Sequence, residues 1–117
     1  MTGTTAYFSG AAAEDCAARF YERSGHDIIA RRWRGSGGEI DIVARDGASL
    51  VFIEVKKSGD FARAAARVSR RQIMRLLAAA REFLSCQPDG QNTDVRFDVA
   101  LVNMHGQMDI IENAFCE

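Results

Sequence analysis

Two short stretches of the chain place ionisable side chains at alternate positions, which is the spacing that puts them on one face of a β-strand. The first stretch contains Glu39 and Asp41, and the second contains Glu54 and Lys56. Carboxylates gathered on one face repel one another unless a cation neutralises them, and their hard oxygen donors suit Mg²⁺ or Mn²⁺. An ammonium group beside such a cation orients a water molecule or stabilises charge that develops on a phosphate. These residue types therefore predict a divalent-metal site.

A β-hairpin must position these side chains. The first stretch alternates acid or valine with isoleucine, the second is rich in β-branched and aromatic residues, and Asp46-Gly47 between them is a hairpin signal. Opposed residues of an antiparallel pair have position numbers with a constant sum, so the placement of the tight turn decides the register. One register sets Glu39 opposite Glu54, and the other sets Asp41 opposite Glu54. Both registers bring acids of the two strands together.

Strand alternation also predicts which side chains face away from the acids. Ile40 and Ile42 are expected together on the opposite face of the same strand. Acids and lysines that alternate with aliphatic residues also describe the solvated face of any antiparallel sheet, and each residue taken alone is more typical of surface. The combination favours a site, because the two pairs lie on neighbouring strands and face the same way.

The remaining patterns predict an α/β domain with a mixed sheet flanked by helices, in the order α-β-β-β-α-β, with an optional extra C-terminal strand. The first helix is expected at residues 10–24, and the strands at residues 27–34, 39–44, 50–55, 95–102 and, for the optional one, near 108–111. We expect the site at the sheet edge where the second and third strands face the first helix. Gly35, Gly37 and Gly38 are interpreted as a flexible connection rather than a phosphate cradle, because no GK[ST] sequence follows them.

A second helix is predicted by an apolar stripe at helical spacing, formed by Ile73, Leu76, Leu77, Ala80 and Leu84. Ser69 and Gln72 have the spacing of a capping box at its start. The alanine-rich residues 62–66 offer the alternative that the helix begins further upstream. The sequence leaves the start of this helix open.

Positive charge is concentrated in one region, although the formal net charge of the chain is −1. From position 56 to position 81 the sequence contains one acid, Asp60, and the cations Lys56, Lys57, Arg63, Arg67, Arg70, Arg71, Arg75 and Arg81. Such a region is typical of phosphate binding, although an arginine-rich helix face is also ordinary solvated surface. The residues that we assign to nucleic-acid contacts are Arg34, Lys57, Arg67, Arg71 and Arg75.

Length and composition are those of one folded unit. The chain has 117 residues, of which 47% are hydrophobic and 26% charged, and we expect a single domain over residues 1–117 with its core at 10–102. No apolar stretch approaches the roughly 18 residues that cross a bilayer, and no signal peptide is indicated. The three cysteines form no C-x-x-C pair, which favours reduced thiols and a cytoplasmic location.

The motifs resemble the signature of the PD-(D/E)XK nuclease superfamily, in which an acid on one strand precedes an E-x-K triplet on the next. Asp41 and the triplet Glu54-Val55-Lys56 match that signature. Within the superfamily the chain resembles the bacterial YraN family of endonuclease-like proteins, which are similar to archaeal Holliday junction resolvases. The likeness covers residues 10–101, and it also includes Gly38-Glu39-Ile40-Asp41, Arg71-Gln72 and Arg96-Phe97-Asp98-Val99. It implies a restriction-endonuclease-like fold.

The resemblance also implies roles for individual residues. Asp41 and Glu54 are implied as metal ligands, and Lys56 as the catalytic lysine. Glu14 on the first helix is implied as a further acid of the cluster, and Gln72 as a residue that approaches the site. Glu14 is explained equally well as an exposed acid favoured by the dipole near a helix N-terminus. We interpret Glu39, from its place on the strand, as an additional or indirect ligand.

Four positions depart from the pattern of that family. Ser58 stands where Arg is usual, Ala62 where Gly is usual, Arg32 where Asn is usual and Arg71 where Lys is usual. These changes leave Asp41, Glu54 and Lys56 intact. They affect the expected shape of the loop that would meet a substrate.

The predicted reaction is metal-dependent hydrolysis of a phosphodiester bond in nucleic acid, with DNA favoured over RNA. Resemblance to resolvases also implies a homodimer. The alternative is a nucleic-acid-binding or assembly module that keeps the fold and the basic helix but does not cleave. The intact set of Asp41, Glu54 and Lys56 favours the enzyme.

Overall fold

Five strands form one mixed sheet that carries a helix on each face. The computed structural model describes residues 10–57 and 69–114. Its elements are α1 (Gly10–Arg23), β1 (Asp27–Arg34), β2 (Glu39–Asp46), β3 (Ser49–Lys57), α2 (Arg70–Leu84), a 3₁₀ turn (Gly90–Asn92), β4 (Val95–Val102) and β5 (Met108–Ile111). The predicted order is confirmed, and the optional C-terminal strand is present as β5. The alanine-rich residues 62–66 and Arg67 lie outside the described residues.

The strands follow one another across the sheet in chain order. Neighbouring strands are antiparallel except β3 and β4, which are parallel. Parallel neighbours need a crossover connection, and α2 lies in the connection between β3 and β4. Helix α2 packs on one face of the sheet, and α1, which precedes β1, packs on the opposite face. Both faces of the central strands are therefore buried.

The β2–β3 hairpin adopts the second of the two registers. Asp46 pairs with Ser49 across a turn of Gly47 and Ala48, and the last backbone pair before the acids is Ile42 with Ile53. Gly47 has a φ of +63°, a left-handed conformation that glycine adopts without steric cost. This register brings Asp41 level with Glu54.

Two apolar clusters, one on each face, fix the sheet between the helices. The α2-side cluster is built around Ile40, Val43 and Phe52, and the α1-side cluster around Ile42 and Ile53. The prediction that Ile40 and Ile42 share a face is therefore wrong. Strand alternation in β2 breaks at Asp41, the residue between them. Asp41 lies across from Arg32 of β1, whose backbone is left-handed with a φ of +51°.

Helix α2 begins at the predicted capping box. Ser69 Oγ accepts the backbone N–H of Gln72, and the Gln72 side chain accepts the backbone N–H of Ser69. The helix buries Leu76, Ala79, Ala80, Phe83 and Leu84, so the predicted stripe is shifted toward Ala79 and Phe83. Within the part of the chain that the structure describes, neither helix has the length and apolarity needed to cross a bilayer.

A buried carboxylate on β4 connects α1 with the residues that follow β5. Asp98 on β4 has no exposed surface, and it accepts hydrogen bonds from Tyr21 Oη at 2.7 Å, Arg96 Nε at 2.9 Å and the backbone N–H of Asn113 at 3.0 Å. Burial, followed by the hydrogen bond to Asp98, raises the pKa of the Tyr21 hydroxyl. Tyr21 therefore stays a donor, and the acid's lone pairs are satisfied inside the core.

The loop between β1 and β2 is held against α2. Ser36 donates from its backbone N–H and from Oγ to Glu82 Oε1, both at 2.9 Å. A Cβ on Gly38 would overlap the carbonyl oxygen of Arg75, so the loop approaches the helix backbone more closely than other residues allow. The glycines thus serve close packing against α2, and the expected flexibility of the connection stays a prediction.

Candidate metal-binding active site

The two pairs of ionisable side chains, from β2 and β3, meet in a cleft of about 320 Å³ that is also bordered by α2. We call it the acid cleft, and its lining residues are Glu39, Asp41, Glu54, Lys56, Gln72, Arg75 and Leu76. The structure thus brings together the five side chains that the sequence assigned to catalysis. Gln72 comes from the first turn of α2, where the capping box fixes the start of the helix.

The acid cleft lies on the α2 side of the sheet, whereas the sequence placed the site beside the first helix. Phe52 packs in the α2-side cluster, and the alternation of β3 puts Glu54 and Lys56 on the same side as Phe52. That part of the prediction is corrected. Asp41 lines the acid cleft and also a second cleft on the α1 side, because it stands at the break in β2.

Asp41 is held half-buried between two strands. Its Oδ2 accepts the backbone N–H of Val55 at 2.8 Å, so the side chain bridges β2 and β3 where their backbone pairing stops. Burial, and then the charge of Glu54, raise the pKa of Asp41 from 3.8 to about 7. Two carboxylates close together in a desolvated place resist ionising together, and a bound cation relieves that cost.

Lys56 and Glu54 form an ion pair inside the acid cleft. Lys56 Nζ lies 3.2 Å from Glu54 Oε2, and the two side chains are 21% and 19% exposed. The side chains project from the same face of β3, two residues apart. The ammonium is therefore positioned beside the acids and offsets part of their negative charge.

Glu14 lies in the second cleft, which has a volume of about 280 Å³ and also includes Arg32, Asp41 and Lys57. Its side chain is 9% exposed, and Arg31 and Arg32 bind its two oxygens at 3.2 Å and 3.3 Å. Its role as a further metal ligand stays a prediction. Within residues 10–57 and 69–114, no group of three Asp, Glu, His or Cys side chains is placed to hold one metal ion.

The arginines that bind Glu14 are the main feature that the sequence did not predict. Arg32 has a φ of +51°, which is uncommon for a residue with a side chain and costs on the order of 1 kcal/mol or more. This backbone brings Arg31 and Arg32, which should point to opposite faces, to the same carboxylate. Arginine gives no local sequence signal for a left-handed residue, so strand alternation alone could not reveal this contact.

The predicted nucleic-acid contacts are distributed around the acids. Arg75 lines the acid cleft itself, Lys57 lines the second cleft, and Arg34 lines a neighbouring cleft at the loop between β1 and β2. Arg71 is exposed in the first turn of α2. Arg67 lies outside the described residues. The cations therefore border the acid site on more than one side.

Comparison with known proteins assigns the family. A family model described as "Uncharacterised protein family UPF0102" matches residues 13–102, which includes the whole acid cleft. The chain belongs to UPF0102. This is the YraN family of nuclease-like proteins, so the resemblance drawn from the motifs is confirmed. The match identifies the family, and the description of that family names no reaction.

Relatives in UPF0102 match nearly the full length of the chain. A UPF0102 protein of Cereibacter sphaeroides is 57% identical over 115 residues, which is 98% of each chain. One from Ruegeria pomeroyi is 56% identical and covers 97% of this chain and 92% of its own length. One from Dinoroseobacter shibae is 45% identical and covers 95% and 83% respectively. The fold and acid cleft described above thus fall within the region shared with these UPF0102 proteins.

The donor set fits a small divalent cation. Asp41 and Glu54 offer hard carboxylate oxygens, and Mg²⁺ is commonly held by one or two carboxylates together with waters and substrate phosphate oxygens. Burial, and then the charge of Glu54, raise the pKa of Asp41, and a cation held between the two carboxylates would favour their ionised forms. The residues present are therefore suited to Mg²⁺ or Mn²⁺ that is shared with a phosphate ligand.

Proposed function

We propose that this chain is a divalent-metal-dependent endonuclease that hydrolyses phosphodiester bonds of nucleic acid, with DNA favoured over RNA and branched DNA among the candidate substrates. The observation that carries the proposal is the meeting of Asp41, Glu54 and Lys56 in one open cleft, with the pKa of Asp41 raised by burial and by Glu54. Membership of a family of nuclease-like proteins supports it.

Asp41 and Glu54 would hold Mg²⁺ or Mn²⁺. When bound, such a cation supplies Lewis-acid polarisation of a phosphate and makes a nearby water more acidic. The hydrogen bond from Val55 keeps the Asp41 carboxylate in place before a ligand arrives. This preorganisation means that the carboxylates need little rearrangement during the reaction.

Lys56 would act on the reacting groups from the side of Glu54. Its ammonium stabilises charge that develops on the phosphate and orients the attacking water. Gln72 would donate to the same water or to a phosphate oxygen, and Arg75 would neutralise a substrate phosphate, since both residues line the acid cleft. Glu39 lies at the rim of the cleft, where it would bind the cation indirectly.

A cleavage assay tests the proposal. The substrates are end-labelled branched, duplex and single-stranded DNA and RNA, incubated with Mg²⁺, Mn²⁺ or EDTA. We expect metal-dependent cutting by the wild type, and a loss of more than about 100-fold in Glu54→Gln and Lys56→Met, because both remove charge from the cleft. Glu22→Gln, at an exposed acid near the end of α1, is the matched control and should cut like the wild type.

Binding of nucleic acid without cutting, in both Mg²⁺ and Mn²⁺ and on every substrate form, would contradict the nuclease proposal. It would support the non-catalytic module, in which the Lys56–Glu54 ion pair only stabilises the C-terminal end of β3. Cutting that persists in Glu54→Gln and Lys56→Met would place the chemistry elsewhere.

A further inference from the structure

We propose that the cleft at the loop between β1 and β2 binds the backbone phosphate next to the scissile one. We call it the glycine-loop cleft, with a volume of about 500 Å³ and a lining of Arg34, Gly35, Ser36, Gly37, Gly38, Glu39 and Arg75. The inference rests on the proposed function, because it needs a polynucleotide in the acid cleft. Its volume is within the range of about 300–1,000 Å³ found for ligand sites.

The glycine-loop cleft and the acid cleft are contiguous. Both are lined by Glu39 at the start of β2 and by Arg75 on α2. A strand whose scissile phosphate lies at Asp41 and Glu54 must continue beyond them, and the glycine-loop cleft adjoins the acid cleft at these two shared residues. The next phosphate is therefore expected at the wall of the glycine-loop cleft.

Hydrogen bonds hold the loop in shape without a ligand. Besides the two hydrogen bonds from Ser36 to Glu82, the backbone N–H of Gly35 donates to the carbonyl of Gly38 at 2.9 Å. A Cβ on Gly35 would lie 2.7 Å from Glu82 Oε1, so the glycine allows this close approach. A preformed cleft binds a ligand without the cost of ordering the loop.

The charge of the lining suits an anion. Two guanidinium groups, of Arg34 and Arg75, and one carboxylate, of Glu39, line the cleft, while the carboxylate of Glu82 beside the loop is occupied by its hydrogen bonds from Ser36. Arg34 Nη2 lies 3.0 Å from Glu39 Oε2, but Arg34 is 81% exposed and such surface ion pairs contribute little stability. A guanidinium has five donors in a planar fork, so Arg34 can keep this contact and still bind a phosphate.

The test is the salt dependence of binding to a labelled single-stranded DNA oligonucleotide, measured by fluorescence anisotropy in Ca²⁺ and with the oligonucleotide's integrity checked on a gel. Arg34→Ala should weaken binding and lower the slope of log K against log salt concentration by about 0.7, the value for one phosphate contact on a single strand. Arg45→Ala is the matched control. Arg45 is exposed on the opposite end of β2 and lines a separate cleft with Gln87 and Pro88, so its slope should stay that of the wild type.

The outcomes separate this inference from the proposed function. A slope unchanged in Arg34→Ala, or lowered equally in Arg45→Ala, would overturn the glycine-loop cleft as a phosphate site while leaving the nuclease untouched. A wild type that binds no nucleic acid, whether single-stranded, duplex or branched, would overturn the proposed function and this inference with it. A circular dichroism spectrum shared by the three proteins shows that the comparison is between folded chains.

Discussion

Burial and the charge of Glu54 both oppose ionisation of Asp41, so the stability of the metal-free protein depends on pH. Its pKa is about 7 in the folded state and 3.8 in an unfolded chain. Between these values the folded protein binds the extra proton, so the free energy of unfolding falls as pH rises through this window. We expect the melting temperature in EDTA to drop by several degrees from pH 5 to pH 8.

The control for this pH dependence is Asp41→Asn, which cannot ionise at that position and should show a flatter profile. Other carboxylates contribute to the profile at lower pH, so the comparison is confined to the range above pH 5. Parallel pH profiles for the wild type and Asp41→Asn would show that Asp41 ionises normally.

The proposed binding of Mg²⁺ at Asp41 predicts a gain in stability, in contrast to the loss expected at high pH without metal. A ligand that binds only the folded state stabilises it by about 2.7 kcal/mol at a concentration 100 times its Kd. At pH 8, Mg²⁺ or Mn²⁺ should raise the melting temperature of the wild type but not that of Asp41→Ala. Asp109→Ala, at an exposed acid on β5, is the control and should keep the wild-type shift. Equal shifts in all three proteins would count against the metal site.

Tyr21 is expected to matter for folding through a single hydrogen bond. Tyr21→Phe leaves Asp98, which has no exposed surface, without one of its donors. We expect a loss of about 1–3 kcal/mol in the free energy of unfolding, measured by urea denaturation. Ser24→Ala also removes a hydroxyl donor, but an exposed one, and should change stability by less than about 0.5 kcal/mol. A Tyr21→Phe protein as stable as the wild type would mean that Arg96 and Asn113 satisfy Asp98 without the hydroxyl.

Individual site residues could be predicted where the chemistry is local in sequence. Asp41, Glu54 and Lys56 lie on two strands joined by a tight turn, so spacing alone brings them together. The partners of Glu14 could not be predicted, because they depend on the left-handed backbone of Arg32. The resemblance marked Arg32 as a departure at a position where asparagine is usual, and asparagine adopts this conformation more readily.

At the scale of the elements, the bounds of the strands were predicted closely. The face of the sheet on which each side chain lies was predicted less well. The bounds of β1, β4 and β5 agree with those expected, because turn residues flank β-branched and aromatic runs. The face of each residue depends on uninterrupted alternation, and β2 is interrupted between Ile40 and Ile42. The correct register was one of two that the turn sequence allowed, and side-chain packing on both faces selected it.

The contact between the loop and α2 gives a prediction at the element scale. Gly38→Ala places a Cβ against the carbonyl oxygen of Arg75, so the loop or the helix must shift. We expect a loss of about 1–3 kcal/mol in the free energy of unfolding, typical of overpacking, measured by urea denaturation. Gly10→Ala is the control, since a Cβ there meets nothing within 4 Å and alanine favours the helix. Stability unchanged in Gly38→Ala would show that the loop moves freely.

For the whole molecule, the fold class and family followed from the order of short motifs along the chain. The net charge of −1 is a poor predictor of the local charge around the acid cleft, which depends on where the charged residues lie in the fold. The acid cleft and the glycine-loop cleft both depend on how α2 packs on the sheet. Helix α2 is distant in sequence from the strands and the loop that it contacts. Contacts between residues far apart in the sequence leave no periodic pattern, so the sequence indicated the site residues but not the shape of the surface around them.

The parallel pairing of β3 with β4 implies an order of assembly. The hairpin that bears Asp41 and Glu54 joins residues close in the chain, whereas pairing Leu50 with Val95 must close a long loop that contains α2. Short loops close at a smaller entropic cost, and local pairings form faster. We therefore expect the two acids to come face to face early, before α2 packs to form the other wall of the cleft. A cation that neutralises them at that stage would speed folding, in addition to the role proposed for it in the finished cleft.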